Sequence, residues 1–166
     1  MKKVLLLMVA VLMVSSVAMA DHIGVYSDAN GSSCTLTAGF VQFSYVLDKF
    51  SLGTSGCRFA VNMGPNTFVG FTTPYPAIGS GLTSDLSLAF GVCFNGTIQL
   101  GTLAAVWVGG TAQVIPAQGF ANILVTDCTA AAHNATGGTA YVGVTGNCNE
   151  VATEPSTWGQ VKALYR

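Results

Sequence analysis

Beyond residue 20 the chain is written in short apolar or alternating runs cut by Gly, Asn, Ser, Thr and Pro. Ile23 to Tyr26 reads as a first short strand. Phe40 to Phe50 alternates, with Val41, Phe43, Tyr45 and Leu47 on one face and Gln42, Ser44 and Asp48 on the other. A period of two is the period of a pleated strand. Phe59, Val61 and Met63 repeat it against Arg58, Ala60 and Asn62. Phe68 to Phe71, Asp85 to Phe90, Thr97 to Val108, Ala112 to Ile115, Ile123 to Cys128 and Tyr141 to Thr145 complete nine strand candidates. Strands at this spacing, with turn residues between them, predict an all-β domain over residues 21–153. Its expected form is an antiparallel β-sandwich, Ig-like, cohesin-like or jelly-roll, with a barrel as the other closure.

Thr97 to Val108 is the most informative of these. Ile98, Leu100, Thr102, Ala104, Val106 and Val108 share one face. The other begins polar at Gln99 and Gly101 and turns apolar at Leu103, Ala105 and Trp107. A strand apolar on both sides is a central one, which places Trp107 in the core.

The ends differ from this pattern. Met1-Lys2-Lys3 is a basic start, Val4 to Val14 is a run of eleven apolar residues, and Ala18-Met19-Ala20 is a cleavage signature. Together they predict a secretory signal peptide over residues 1–20, of bacterial style. Eleven residues fall well short of the roughly 20 that cross a bilayer, and no later run is long enough to span one. At the other end, Pro155 breaks the chain and Thr157-Trp158-Gly159-Gln160 reads as a capping box. A short helix is expected over 154–166, with Trp158, Val161, Leu164 and Tyr165 on one face. Lys162 and Arg166 fall where a helix C-terminus favours cations. Such a segment either docks on the domain or serves as a recognition tail.

Charge narrows the functions available. Charged residues are 8% of the chain, and the hydrophobic set is 51%. With the signal removed, four Lys/Arg face seven Asp/Glu, a formal charge of −3. Four scattered cations cannot form the phosphate-neutralising stripe that nucleic acid requires.

Cys34, Cys57, Cys93, Cys128 and Cys148 all lie in the exported part, where disulfides are expected. No two are close enough for a C-x-x-C metal site. Cys93 and Cys128 both end predicted strands, which favours pairing them, and Cys34 with Cys148 would then tie the ends of the domain. Cys57, beside Gly56 in a predicted turn, is left as a buried thiol or an intermolecular partner.

Catalytic chemistry is thinly represented. His22 would be the second residue after cleavage, a solvated terminal histidine with at most weak copper(II) affinity. His133 sits in a small-residue loop whose one acidic neighbour is Asp127, with no nucleophile elbow in the chain. Asp48, Asp85 and Asp127 are the interior carboxylates a glycosidase could use, and each reads more simply as a strand-edge or turn residue. There is no phosphate loop, dinucleotide fingerprint or zinc helix, so no cofactor is expected. Asp28-Ala29-Asn30-Gly31-Ser32 has the oxygen spacing of half a calcium loop, but lacks the closing Glu and also carries the Asn-Gly turn signal. Asn30, Asn95 and Asn134 head formal glycosylation sequons in expected turns. The sharper candidate is Thr73-Pro74-Tyr75-Pro76, where two prolines would hold Tyr75 rigidly in a loop, facing a sugar ring or a partner.

Two resemblances follow from these residues. The closing Ser156-Thr157-Trp158-Gly159-Gln160-Val161-Lys162-Ala163-Leu164-Tyr165-Arg166 resembles the tail of a group of secreted bacterial β-rich proteins. Their opening is also similar to Ile23-Gly24-Val25-Tyr26-Ser27-Asp28 followed by a cysteine and the Phe43-Ser44-Tyr45-Val46-Leu47 strand. That resemblance implies export and no activity. The rhythm of Gly56 to Val61, Asp85 to Phe90 and Ile98 to Val108 is similar to that of cohesin-like sandwiches, a hint of fold that carries over no binding residue. The sequence therefore reads as a secreted, noncatalytic binding module. Its expected partner is a surface polysaccharide or another exported protein, met through Tyr75. The alternative is a self-associating component of the cell surface or extracellular matrix.

Overall fold

A computed structural model describes residues 21–39 and 41–148. The expected signal peptide and the C-terminal tail, with Trp158, Val161, Leu164 and Tyr165, lie outside the described residues. Ten strands are present: β1 (His22–Tyr26), β2 (Thr35–Leu36), β3 (Val41–Asn62), β4 (Thr67–Thr72), β5 (Ala77–Gly81), β6 (Asp85–Val106), β7 (Gly110–Ile115), β8 (Ile123–Asp127), β9 (Ala132–Gly137) and β10 (Thr139–Val142). The all-β class is as expected, and none of the described residues is helical.

Two 22-residue strands, β3 and β6, organise the molecule. They pair antiparallel from Val41↔Val106 to Phe59↔Leu86, with several register shifts on the way. Each merges two segments that read as separate strands in the sequence. The join in β3 is Ser51 to Gly56, where Gly53 takes a φ of +87°. The turn expected around Cys57 is thus a bend within one strand. Glycine at such a bend permits a backbone angle that other residues resist. Along its far side β3 meets β1, then β8, then β7. β9 lies between β8 and β1, and β10 carries the ladder on from β7 to β2. Because β1 also pairs β3, the circuit β1–β9–β8–β3 closes on itself. In place of an antiparallel sandwich of two separate sheets there is one barrel-like network. Two of its ladders, β1–β9 and β2–β10, are parallel.

β4 and β5 pair only with β6 and form its free edge. Within the network lies one main core that includes Ile23, Val46, Phe59, Val61, Leu100, Leu103 and Trp107. A smaller cluster of Tyr26, Cys34 and Leu47, with Tyr45, Tyr141 and Cys148 against it, packs separately.

The inward face changes along both long strands. In β6, Ile98 and Leu100 are buried, and so are Leu103, Ala105 and, one residue past its end, Trp107. Even numbers point inward before the bulge at Leu100 and odd numbers after it, because one extra residue turns every later side chain over. At the start of β3 the expected polarity is reversed. Val41 is 50% and Phe43 71% exposed, whereas Ser44, Val46 and Asp48 are fully buried. Disulfides join Cys34 to Cys148 and Cys93 to Cys128, and Cys57 is a buried free thiol within β3.

Candidate functional site

The link between β4 and β5 carries Thr73-Pro74-Tyr75-Pro76. Each proline fixes its own φ, and each also restricts the residue before it, so this stretch has few conformations available. The Tyr75 backbone N–H donates to Thr73 Oγ1 at 3.1 Å, closing a small turn. The Ala89 N–H donates to the Pro76 carbonyl at 3.1 Å, anchoring the loop to β6.

Opposite this loop β6 makes a wide bulge. Thr54 pairs with Phe94 and Gly56 with Ala89, so residues 90–93 stand against the single residue Ser55. Gly91 turns the bulge with a φ of +72°, and the Cys93–Cys128 disulfide pins it to the end of β8. The bulge brings Phe90 and Phe94 onto one side. The Tyr75 ring lies 4.7 Å from Phe90 and 6.1 Å from Phe94, and the two phenylalanines are 5.9 Å apart. These are tilted and edge-to-face contacts, each worth about 0.5–1.5 kcal/mol beyond area burial. Tyr75 is therefore half-buried against the core. Burial, and secondly the neighbouring Cys57, push its phenol above the ordinary value. Ile78, on the following strand β5, is 75% exposed, and Val92, within the β6 bulge, is 57% exposed. No charged residue occurs in 73–78 or 90–97. The result is a rigid, uncharged rim with an aromatic base and two projecting aliphatic side chains.

The remaining sequence candidates fall elsewhere. His133 and Asp127 do meet: Nε2 lies 2.8 Å from Oδ2 across the β8–β9 turn. The stretch expected as a loop around His133 is strand β9, paired with β8 through Val125↔His133. The His133 contact, then Thr129 and the Ala131 N–H, hold the Asp127 carboxyl well below the usual carboxylate range. A base with its orienting carboxylate is two-thirds of a triad. The nearby Thr129 hydroxyl, however, donates to Asp127 Oδ1 at 2.8 Å and so is committed to the carboxylate. Asp85 forms a bidentate pair with Arg58 at 2.8 and 2.6 Å, with the guanidinium 3.8 Å from the Phe120 ring centre. Asp48 is fully buried in the middle of β3.

His22 is 6% exposed inside β1, with Nδ1 2.9 Å from Thr136 Oγ1, not a solvated terminal residue. Asp28 accepts the backbone N–H groups of Asn30, Ser32 and Ser33, which makes the calcium-like stretch an Asx-type turn. Gly31 there has positive φ and Asn30 does not, so the turn is not type I′. Asn30, Asn95 and Asn134 are exposed. Among the described residues, no group of three or more His, Cys, Asp or Glu could hold a metal ion.

Phe94 and Val92 were missed by sequence reasoning. Their only signal was Gly91 and Gly96 bracketing an apolar stretch, a mark of bulging that does not say which side chains converge.

No protein-family model and no curated protein sequence matches the chain. Solved structures do match. One is a cohesin module from a Clostridium perfringens family 33 glycoside hydrolase, 7% identical over 75% of this chain and 97% of that one, with a TM-score of 0.49. Another is a non-cellulosomal cohesin from the hyperthermophilic archaeon Archaeoglobus fulgidus, 10% identical over 82% of this chain and 98% of that one, also with a TM-score of 0.49.

Proposed function

We propose that this chain is a secreted, noncatalytic binding module that takes another exported protein at the Tyr75 rim. One observation carries the reading. Tyr75 is held between two prolines on a Phe90–Phe94 base, and Ile78 of β5 and Val92 of the β6 bulge are exposed aliphatic side chains. A rigid aromatic anchor with exposed aliphatic side chains loses little entropy on binding, which suits a protein interface. A sugar site needs polar groups placed around an open ring face, and here the ring leans on its own phenylalanines. The two disulfides agree with an oxidising, extracytoplasmic setting.

The test compares the folded protein with Tyr75→Ala, Ile78→Ser and, as a control away from the rim, Tyr141→Ala. Each is presented to a glycan array and to the exported proteins of the source cell. The expected result is one exported protein retained by the wild type and by Tyr141→Ala, and lost with either rim variant. A glycan lost in the same pattern would keep the site and change the partner class. Retention indifferent to both rim substitutions would sink the site.

A further inference from the structure

The reversed polarity at the start of β3 leaves an apolar face with nothing described upon it. Val41 and Phe43, 50% and 71% exposed, point outward, and Ser44 and Val46 are buried. The register puts Val41 beside Val106 and Phe43 beside Ala104, and on the far side of β6 these meet Thr67 and Gly70 of β4. No charged residue lies in Val41–Leu47, Thr67–Thr72 or Thr102–Val106. Such a face belongs against something, since an alternating strand ordinarily turns its apolar side to a core.

Where the described chain stops says what that something is. Along the same face, two residues beyond Phe43, Tyr45 packs into the cluster that holds Cys148. The disulfide to Cys34 fixes Cys148 there. The described chain therefore ends beside Tyr45. Successive outward residues of a strand are about 7 Å apart, so Phe43 and Val41 lie about 7 and 13 Å from Tyr45. Trp158 is ten residues past Cys148, a reach of up to about 35 Å. The tail brings Trp158, Val161, Leu164 and Tyr165 at helical spacing. As a helix, Trp158 to Tyr165 would be about 10 Å long, matching the Val41–Tyr45 face.

We infer that the C-terminal segment 154–166 docks in cis on the outer face of β3 and β6, laying Trp158, Val161, Leu164 and Tyr165 over Val41, Phe43, Ala104 and Val106. The tail is a built-in cover for this sheet. The site is separate from the Tyr75 rim and does not depend on it.

The experiment is acrylamide quenching of tryptophan fluorescence in the full, oxidised chain. Trp107 is fully buried, so it supplies a shielded background that the Trp158→Phe variant measures alone. The expected result is a shielded Trp158 in the wild type, with quenching that rises severalfold in Phe43→Ser and does not change with protein concentration. Phe43 is exposed, and unchanged quenching of Trp107 in Phe43→Ser/Trp158→Phe would show that the fold survives. A wild-type Trp158 as accessible as free indole overturns the proposal, and so does a shielded Trp158 indifferent to Phe43→Ser. Shielding that is lost on dilution assigns the face to a second copy and overturns docking in cis.

Discussion

Asp48 is the residue whose surroundings are least comfortable. It is fully buried in β3, and neither carboxylate oxygen completes a well-formed hydrogen bond. Burial, reinforced by the Asp21 carboxylate and opposed by the His22 backbone N–H, raises its pKa to about 8. The Tyr26 hydroxyl is also buried without a partner and is pushed up to about 12, by burial first and then by Asp48. In an unfolded chain an Asp titrates near about 4. Between the two values the folded protein keeps a proton that the unfolded chain has released. Stability is therefore greatest below the unfolded pKa, and falls through the window from about 4 to 8 by up to about 1.4 kcal/mol per pH unit. Above about 8 both states are ionised and the slope vanishes. Asp48→Asn removes this titration. Its buried amide costs about 1–3 kcal/mol at every pH, which leaves the slope unaffected. Urea midpoints at pH 5 and 8 are expected to diverge for the wild type and to converge for Asp48→Asn. A wild-type slope that persists in the variant would assign it to other groups.

At the scale of elements, the edge strand β4 is held by a close approach. A Cβ on Gly101 would meet the Phe71 ring and would stand 2.5 Å from the Thr72 carbonyl oxygen. Gly101 pairs with Val46 on one side, and Thr72 pairs with the next β6 residue, Thr102, on the other. Gly101→Ala should loosen β4, destabilise by about 1–3 kcal/mol, and speed amide exchange selectively in Thr67–Thr72. Gly70 is the internal control: a Cβ there meets nothing within 4 Å, so Gly70→Ala should be nearly neutral. Equal costs at the two positions would remove close packing as the explanation. The sequence made most strands visible, since β1, β4, β7 and β8 carry apolar or alternating runs. It hid β9, because Ala132-His133-Asn134-Ala135-Thr136-Gly137 has no apolar period and is a strand only through its two ladders. It also hid the joins within β3 and β6, where Ser, Gly and Thr read as turns yet stay paired through a bend. Bulges account for the faces. The even-odd pattern of Ile98 to Trp107 is legible only once Leu100 is known to be the extra residue. At the candidate site, the rigidity of Tyr75 was written in its prolines. Its Phe90–Phe94 support was not, because a bulge against β3 creates that proximity.

The whole molecule is a long-range object. Both ends of the described chain meet near one place: β1 pairs β9 in parallel, β2 pairs β10 in parallel, and Cys34 is bonded to Cys148 across 114 residues. Most of such a topology is secured by contacts between residues far apart in sequence, and closing long loops before they are rewarded is slow and entropically costly. Charged residues, at 8% of the chain, offer few ion pairs to help. The disulfides act on this term, because a cross-link removes conformations from the unfolded chain. Loop entropy alone gives about 5 kcal/mol for the 114-residue separation and about 4 kcal/mol for the 35-residue Cys93–Cys128 separation. A domain of this size has a total stability of about 5–15 kcal/mol. Reducing both bonds should therefore remove a large part of the margin, leaving a chain that is marginally folded at physiological temperature. Urea unfolding with and without reductant checks this: the reduced protein is expected to show a midpoint far below the oxidised one or no cooperative transition. Cys93→Ser/Cys128→Ser should keep a cooperative transition at an intermediate midpoint. In that variant the β6 bulge also loses its pin, so quenching or exchange around Val92 should rise before the rest of the domain yields. Superimposable oxidised and reduced transitions would mean that the core of Trp107, Phe59 and Leu103 holds the network closed unaided.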